Sequence, residues 1–209
     1  MPIFLESREF MIKNIVLDMG NVCCRWDTNY LARCLNDNKD KQRFIIENIF
    51  QSQQWQELDQ GTMTVDQAIK QLCQKYYHEK DLIEKTLYHW FDYFDQFDEM
   101  EQYIIELKEK GYQIYLLSNC SMQFYQYYQN KSIFQHFHDY YISAKNHLLK
   151  PSLEIYKDFC QQFQLKAQEC LFVDDMEDNV KAAKAAGMSG VVYHGQIQDL
   201  KEQIEDICQ

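Results

Sequence analysis

Apolar positions along this chain follow two different rhythms. Residues 12–17, IKNIVL, form a short β-branched run that ends at Asp18, with Gly20 and Asn21 behind it. That pattern predicts a buried strand closed by a turn. From about residue 28 to 97 the spacing is helical throughout. Thr64–Val65–Asp66–Gln67 has the form of a capping box, and Val65, Ala68, Ile69, Leu72, Cys73 and Tyr76 recur behind it at helical intervals. Gly61 falls in the turn before it, and residues 41–58 and 81–96 carry similar, more aromatic helical patterns.

After about residue 97, strands and helices alternate. Met100, Tyr103, Ile104 and Leu107 mark a helix that Gly111 stops. A strand over 112–117 ends at Ser118–Asn119, and a helix is predicted over about 121–129. A strand at about 139–143 leads to Lys150–Pro151, where Pro151 suits the opening turn of a helix that runs to about 163. The strand 170–173 ends at Asp174–Asp175, a helix over about 177–186 is stopped by Gly187, and a last strand covers 190–194. The alternation predicts an α/β fold with a parallel sheet core flanked by helices. In such sheets ligands bind beyond the carboxyl ends of the strands. Here those ends carry Asp18, Ser118–Asn119 and Asp174–Asp175, with Lys150 following a further strand. The all-helical block cannot belong to the sheet and is read as an inserted cap domain over that rim. The expected division is residues 11–26 and 97–209 for the core and 27–96 for the cap, with 1–10 as an N-terminal extension.

Composition narrows the function. The chain has 209 residues and a formal net charge of -11, a sign that repels nucleic-acid backbones and anionic membrane surfaces. An anionic substrate therefore needs local positive charge or a metal ion. No apolar run approaches the ~18 residues of a membrane span. Glu6, Arg8 and Glu9 stand where a signal peptide needs an apolar stretch, so a cytoplasmic protein is expected. The eight cysteines include no C-x-x-C pair, which argues against zinc, and they read as reduced core residues. Cys120 stands apart because it follows Ser118–Asn119. Cys23 and Cys24 follow the first strand and would make the region sensitive to oxidation if exposed, with core packing as the other reading. The six histidines form no metal-spaced cluster.

Taken singly, each polar block has an ordinary use. Asp18 with Gly20–Asn21 can be turn punctuation, Ser118–Asn119 and Asp174–Asp175 can favour helix N-termini, and Lys150 can be a surface lysine. Together, at strand ends in one α/β order, they suit phosphoryl chemistry. Clustered carboxylates can hold Mg²⁺, a lysine supplies charge where the transferring group needs it, and Ser118 with the N–H groups after it can hold phosphate oxygens. Asp18 could then attack phosphorus and form an aspartyl-phosphate that water hydrolyses.

The segments IVLDMGNV, YLLSNC, LLKPSLEIY and LFVDDMEDNVKAAKAAGM resemble, in order, the four motifs of the haloacid dehalogenase-like hydrolases. Their intervals resemble the branch with a helical cap between the first two motifs. The resemblance implies a Rossmann-like core and a Mg²⁺-dependent phosphatase acting on a small phosphomonoester, sugar phosphates among them. It makes Asp18 the nucleophile and a metal ligand, Gly20 a carbonyl ligand and Asp175 the remaining metal carboxylate. Ser118 and Asn119 become the phosphate-binding pair and Lys150 the lysine of the third motif. Asp174 either pairs with Lys150 or reaches the metal through water, and Asn179 supports the same segment. One departure stands out: most phosphatases of the family carry a second aspartate where this chain has Gly20, and that residue serves as general acid and base. The form DMGNV resembles a bacterial branch that includes glucose-1-phosphate phosphatases. Two further readings follow, a phosphometabolite-binding or regulatory protein with weak catalysis, and a 2-haloacid dehalogenase, for which Asp174–Asp175 would be surplus. Asp27, Trp55 and Trp90 are candidates to face the cleft and choose the substrate, although aromatics at helical spacing more often pack. The sequence carries no signal for oligomeric state.

Overall fold

The computed structural model describes residues 11–208, so the expected N-terminal extension at 1–10 lies outside the described residues. Strand β1 (Asn14–Leu17) is buried along its whole length, as the apolar run over Ile15, Val16 and Leu17 requires, and the side-chain amide of buried Asn14 donates to the Glu169 carbonyl at 3.2 Å. The chain then forms five helices, α1 (Thr28–Leu35), α2 (Lys39–Ile45), α3 (Gln53–Gln60), α4 (Val65–Lys75) and α5 (Lys80–His89). Next come α6 (Asp98–Glu109), β2 (Gln113–Ser118), the short α7 (Phe124–Tyr127), β3 (Asp139–Ile142), the single turn α8 (Ser143–Asn146) and α9 (Leu153–Gln162). The chain closes with β4 (Cys170–Asp174), α10 (Glu177–Ala185), β5 (Ser189–Val192) and α11 (Ile197–Cys208).

The five strands are all parallel, in the order β3-β2-β1-β4-β5. Leu17 lies between Leu116 of β2 and Val173 of β4, so Asp18 emerges at the centre of the carboxyl-end rim, with Ser118 and Asp174 on the neighbouring strands. The amide of Asp18 continues the ladder by donating to the Val173 carbonyl at 2.9 Å.

Several sequence expectations change in detail. The pattern over 41–58 is not one helix: α2 runs into a wider π turn at Ile46–Phe50, the chain bends at Gln51–Ser52, and the Ser52 hydroxyl caps α3 by accepting from the Trp55 amide at 3.1 Å. The helix expected over 121–129 shrinks to α7 and a following 3₁₀ turn. Pro151 is not in the first turn of α9, because Ser152 is the cap residue and Pro151 precedes it. The last strand starts and ends earlier than 190–194, and α11 has no counterpart among the expected elements. The capping box at Thr64 and Gln67 forms as expected, and the positive φ values of Gly111 and Gly187 lie where the flanking helices stop.

The two connections to the helical block run side by side. The Arg25 amide donates to the Asp95 carbonyl at 2.8 Å, and Phe97 donates to Cys23 at 2.9 Å. Cys23 and Cys24 are fully buried in this junction, where burial pushes both thiols up, so packing accounts for them. No helix among the described residues is long and apolar enough to cross a membrane.

Candidate active site

A cavity of about 450 Å³ lies over the carboxyl ends of the strands, between the sheet rim and the helices that follow β1. Its floor is polar. Lys150 is almost wholly buried, and its ammonium donates to Asp18 Oδ1 at 2.7 Å, Asp174 Oδ2 at 2.7 Å and the Leu117 carbonyl at 3.0 Å. An ammonium has three donors, and these contacts take all of them. The backbone of Lys150 is fixed by Asn119, whose amide donates to the Lys150 carbonyl at 3.0 Å and accepts from its N–H at 2.8 Å. Asn119, expected as a phosphate-binding residue, lines the cavity but has its side chain engaged in holding Lys150.

Asp174 is fully buried and braced rather than open. Its Oδ1 accepts from the Met176 amide at 2.8 Å, and both of its oxygens accept from Asn179 Nδ2 at 3.0 Å. Asp174 pairs with Lys150, and Asn179 braces the same carboxylate. Asp175 is half-buried and accepts from Asn21 Nδ2 at 3.0 Å. Asn21 takes a left-handed conformation, with φ 54°, and its Oδ1 accepts from the Trp26 amide at 3.0 Å. One side chain thus ties the turn after β1 to the end of β4. Ser118 is buried at the end of β2 and lines the cavity with Gly20.

Asp18, Asp174 and Asp175 each present an oxygen within 4.8 Å of the others. Three carboxylates against one ammonium leave an excess of negative charge in a partly enclosed space, a field that suits a hard divalent cation. Burial raises the Asp18 carboxyl to about 6; Lys150 pulls it down and Asp174 pushes it up. Asp175 is also raised, by burial first and by Asp174, with the Asn21 hydrogen bond opposing. Burial lowers the Lys150 ammonium, but the two carboxylates outweigh it and the net shift is upward.

The walls of the cavity are aromatic. Trp26 sits 5.7 Å from Phe50, 5.6 Å from Trp55 and 5.5 Å from Trp90 between ring centroids, and Phe94 lies 5.5 Å from Trp90. The Trp90 indole donates to Gln123 at 3.2 Å, so its polar edge is satisfied. Trp55 and Trp90 therefore line the cavity and pack at once. Asp27 does not line it; its carboxylate caps α1 by accepting from the Asn29 and Tyr30 amides. Sequence reasoning missed Asn21, Trp26 and Asp59, which also line the cavity. Asp59 follows Trp55 by four residues on α3, a spacing that puts both on one helix face.

The chain belongs to the haloacid dehalogenase-like hydrolases, whose family model matches residues 12–187. It is 28% identical to a sesquiterpene phosphatase of Aspergillus oryzae over 86% of this chain and 88% of the relative. It is 29% identical to a D-ribitol-5-phosphate phosphatase of Bacteroides thetaiotaomicron, over 85% of this chain and 89% of that protein. The fold is similar to that of a crystal structure of an enzyme of the same family from Bacteroides thetaiotaomicron in complex with magnesium and inorganic phosphate. The TM-score is 0.72 at 20% identity, covering 88% of this chain and 95% of the other.

Proposed function

We propose that this chain is a Mg²⁺-dependent phosphatase in which Asp18 attacks phosphorus. The observation that carries the reading is the buried Lys150 ammonium 2.7 Å from Asp18 on the floor of a partly enclosed cavity, which Ser118 and Asp175 also line. Ser118 and the Asn119 N–H hold phosphate oxygens, while the Cys120 N–H is taken by Ser143. Lys150 keeps Asp18 ionised against its burial and orients it. At pH 7 a carboxyl that titrates at about 6 is mostly ionised and ready to attack. Bound Mg²⁺, held by Asp18, Asp175 and the Gly20 carbonyl, would neutralise carboxylates and phosphate oxygens that otherwise repel each other. Asp174 works through Lys150, because its oxygens are already filled.

The aromatic walls bear on the alcohol half of the ester. A polyhydroxylated sugar needs polar partners for each buried hydroxyl, whereas Trp26, Phe50, Trp55, Trp90 and Phe94 offer apolar ring surface. An aryl or isoprenoid monophosphate fits that surface better than glucose 1-phosphate or a pentitol phosphate. The test is phosphate release from these four ester types, with Mg²⁺ and with EDTA. Release with Mg²⁺, loss with EDTA and loss in Asp18→Asn are expected, with the apolar esters turned over fastest. No release from any of them, or undiminished release by Asp18→Asn, would sink the phosphatase reading.

Gly20 favours a second reading, in which a phosphate ester is bound but hydrolysed weakly. Calorimetry distinguishes the two: tight binding of an ester that persists for hours without phosphate release supports this one, and rapid turnover removes it. The dehalogenase alternative leaves the Asp174–Asp175 pair and its cation-sized grouping with Asp18 without a use.

A further inference from the structure

We propose that Asp59, from the helical insertion, gives a proton to the leaving alcohol and then takes one from the attacking water, filling the role for which Gly20 has no side chain. The inference rests on the phosphatase reading above and extends it to a named residue.

An alkoxide is a poor leaving group unless a proton reaches its oxygen as the bond breaks. The floor of the cavity has no proton to give. All three donors of Lys150 are committed, and Asp18 is the attacking group. Asp174 does not open onto the cavity, and Asp175 is held by Asn21 within the carboxylate cluster. Cys120 is a buried thiol beside the Tyr127 hydroxyl, and burial pushes it far up. Of the carboxyl side chains that line the cavity, Asp18, Asp59 and Asp175, this leaves Asp59.

The position of Asp59 is fixed from the core side. It lies in the last turn of α3, and its carbonyl accepts from the Ser143 hydroxyl at 2.5 Å. That same hydroxyl accepts from the Cys120 amide at 2.8 Å, two residues after Ser118. One hydroxyl thus links the end of α3 to the turn that holds phosphate in the proposed reaction. The Ser121 backbone and the Trp55 side chain lie close to the Asp59 carboxyl, and their polarity favours its ionised form. Gly61, just beyond, takes φ 74°, and a Cβ there would stand 1.9 Å from the Ala144 carbonyl oxygen. The end of α3 is therefore seated directly on the core.

The protonation state agrees with the geometry. Burial drives the Asp59 carboxyl well above its ordinary range, with the Ser121 and Trp55 contacts opposing and no lysine or arginine acting on it. That direction favours the protonated carboxyl. In the first step, an Asp18 oxygen bonds to phosphorus and the phosphorus–ester bond breaks. The electron pair goes to the ester oxygen, which takes the Asp59 proton and leaves as the neutral alcohol. In the second, water attacks the phosphorus of the aspartyl-phosphate and gives a proton to the Asp59 carboxylate. The bond from phosphorus to Asp18 breaks, and both aspartates return to their starting states.

The experiment uses the full chain with Mg²⁺ and phosphate esters graded by leaving-group basicity, from p-nitrophenyl to simple alkyl. Wild type should show a weak dependence of kcat/KM on leaving group. Asp59→Asn should lose roughly 10²–10⁴-fold on alkyl esters, yet release a first equivalent of nitrophenol at close to the wild-type rate before turning over slowly. Asp59→Ala should recover part of its alkyl-ester activity when formate is added. Gly20→Asp in the Asp59→Asn background should restore alkyl-ester turnover, since a Cβ at residue 20 meets nothing nearer than Trp26 Cβ at 3.4 Å. A loss of equal size on every ester, with neither rescue, would overturn the proposal while leaving the phosphatase reading intact. Full activity of Asp59→Asn would do the same. No release from any ester by wild type would remove both.

Discussion

Lys150 shows how much of this site depends on single side chains. Its ammonium is the shared counter-charge of Asp18 and Asp174, and nothing else within the floor replaces it. Lys150→Met should therefore leave two buried carboxyls unpaired and cost about 3–5 kcal/mol, measured by urea unfolding. Catalysis should be lost with it. Asn21→Ala should have a milder signature. It removes the donor that fixes Asp175 and the acceptor of the Trp26 amide. Mg²⁺ affinity should fall about 10–100-fold by calorimetry, with stability lower by about 1–3 kcal/mol. Unchanged Mg²⁺ binding would remove Asp175 from the ligand set. The two residues also differ in legibility. Lys150 was readable because it follows a strand pattern and precedes a proline. Asn21 was readable only as turn punctuation, because its use depends on a left-handed backbone and on a partner far along the chain.

Among the elements, α3 connects the helical insertion to the rim. Its C-terminal Gly61 combines a positive φ with a backbone approach that leaves no room for a side chain. Gly61→Ala should destabilise the protein by about 1–3 kcal/mol and lower kcat by displacing the Asp59 turn. Urea unfolding together with phosphate release checks both, and wild-type values for both would mean that the seat on Ala144 is soft. The strands and their polar ends were legible because each is a short apolar run closed by residues that cannot continue it. The break between α2 and α3 was not, because apolar spacing continues through Gln51–Ser52 while the Ser52 hydroxyl starts a new helix. Helix α11 was missed for a different reason: its fully buried positions are Leu200 and Ile204, a thin stripe beside the strand signal that precedes it. The aromatic wall was half legible. Trp55 and Trp90 could be suspected, but the pattern could not tell packing from lining, and they do both.

For the molecule as a whole, the acidic balance and the buried carboxylates make stability a function of pH and cation together. Asp18 titrates at about 6 in the folded chain against 3.8 as its ordinary value. Between about pH 4 and 6 the folded state therefore holds a proton that the unfolded state has released, and this contribution to stability falls as pH rises. Asp175 is displaced in the same direction. A cation that needs both groups ionised should raise Tm more at pH 7 than at pH 5, read by thermal unfolding with Mg²⁺ against EDTA. An equal rise at both values would mean that Asp18 and Asp175 do not hold it. The same sheet that centres Asp18 also sets a problem of timing. In the central strand β1, Ile15 pairs with Ile114 on one side and Leu171 on the other. At a synthesis rate of roughly 5–20 residues per second, the first of those partners is made about 5–20 s after β1 itself. Throughout that interval an apolar strand with two unpaired edges is exposed, so newly made chains should depend on chaperones until β4 arrives and closes the sheet around it.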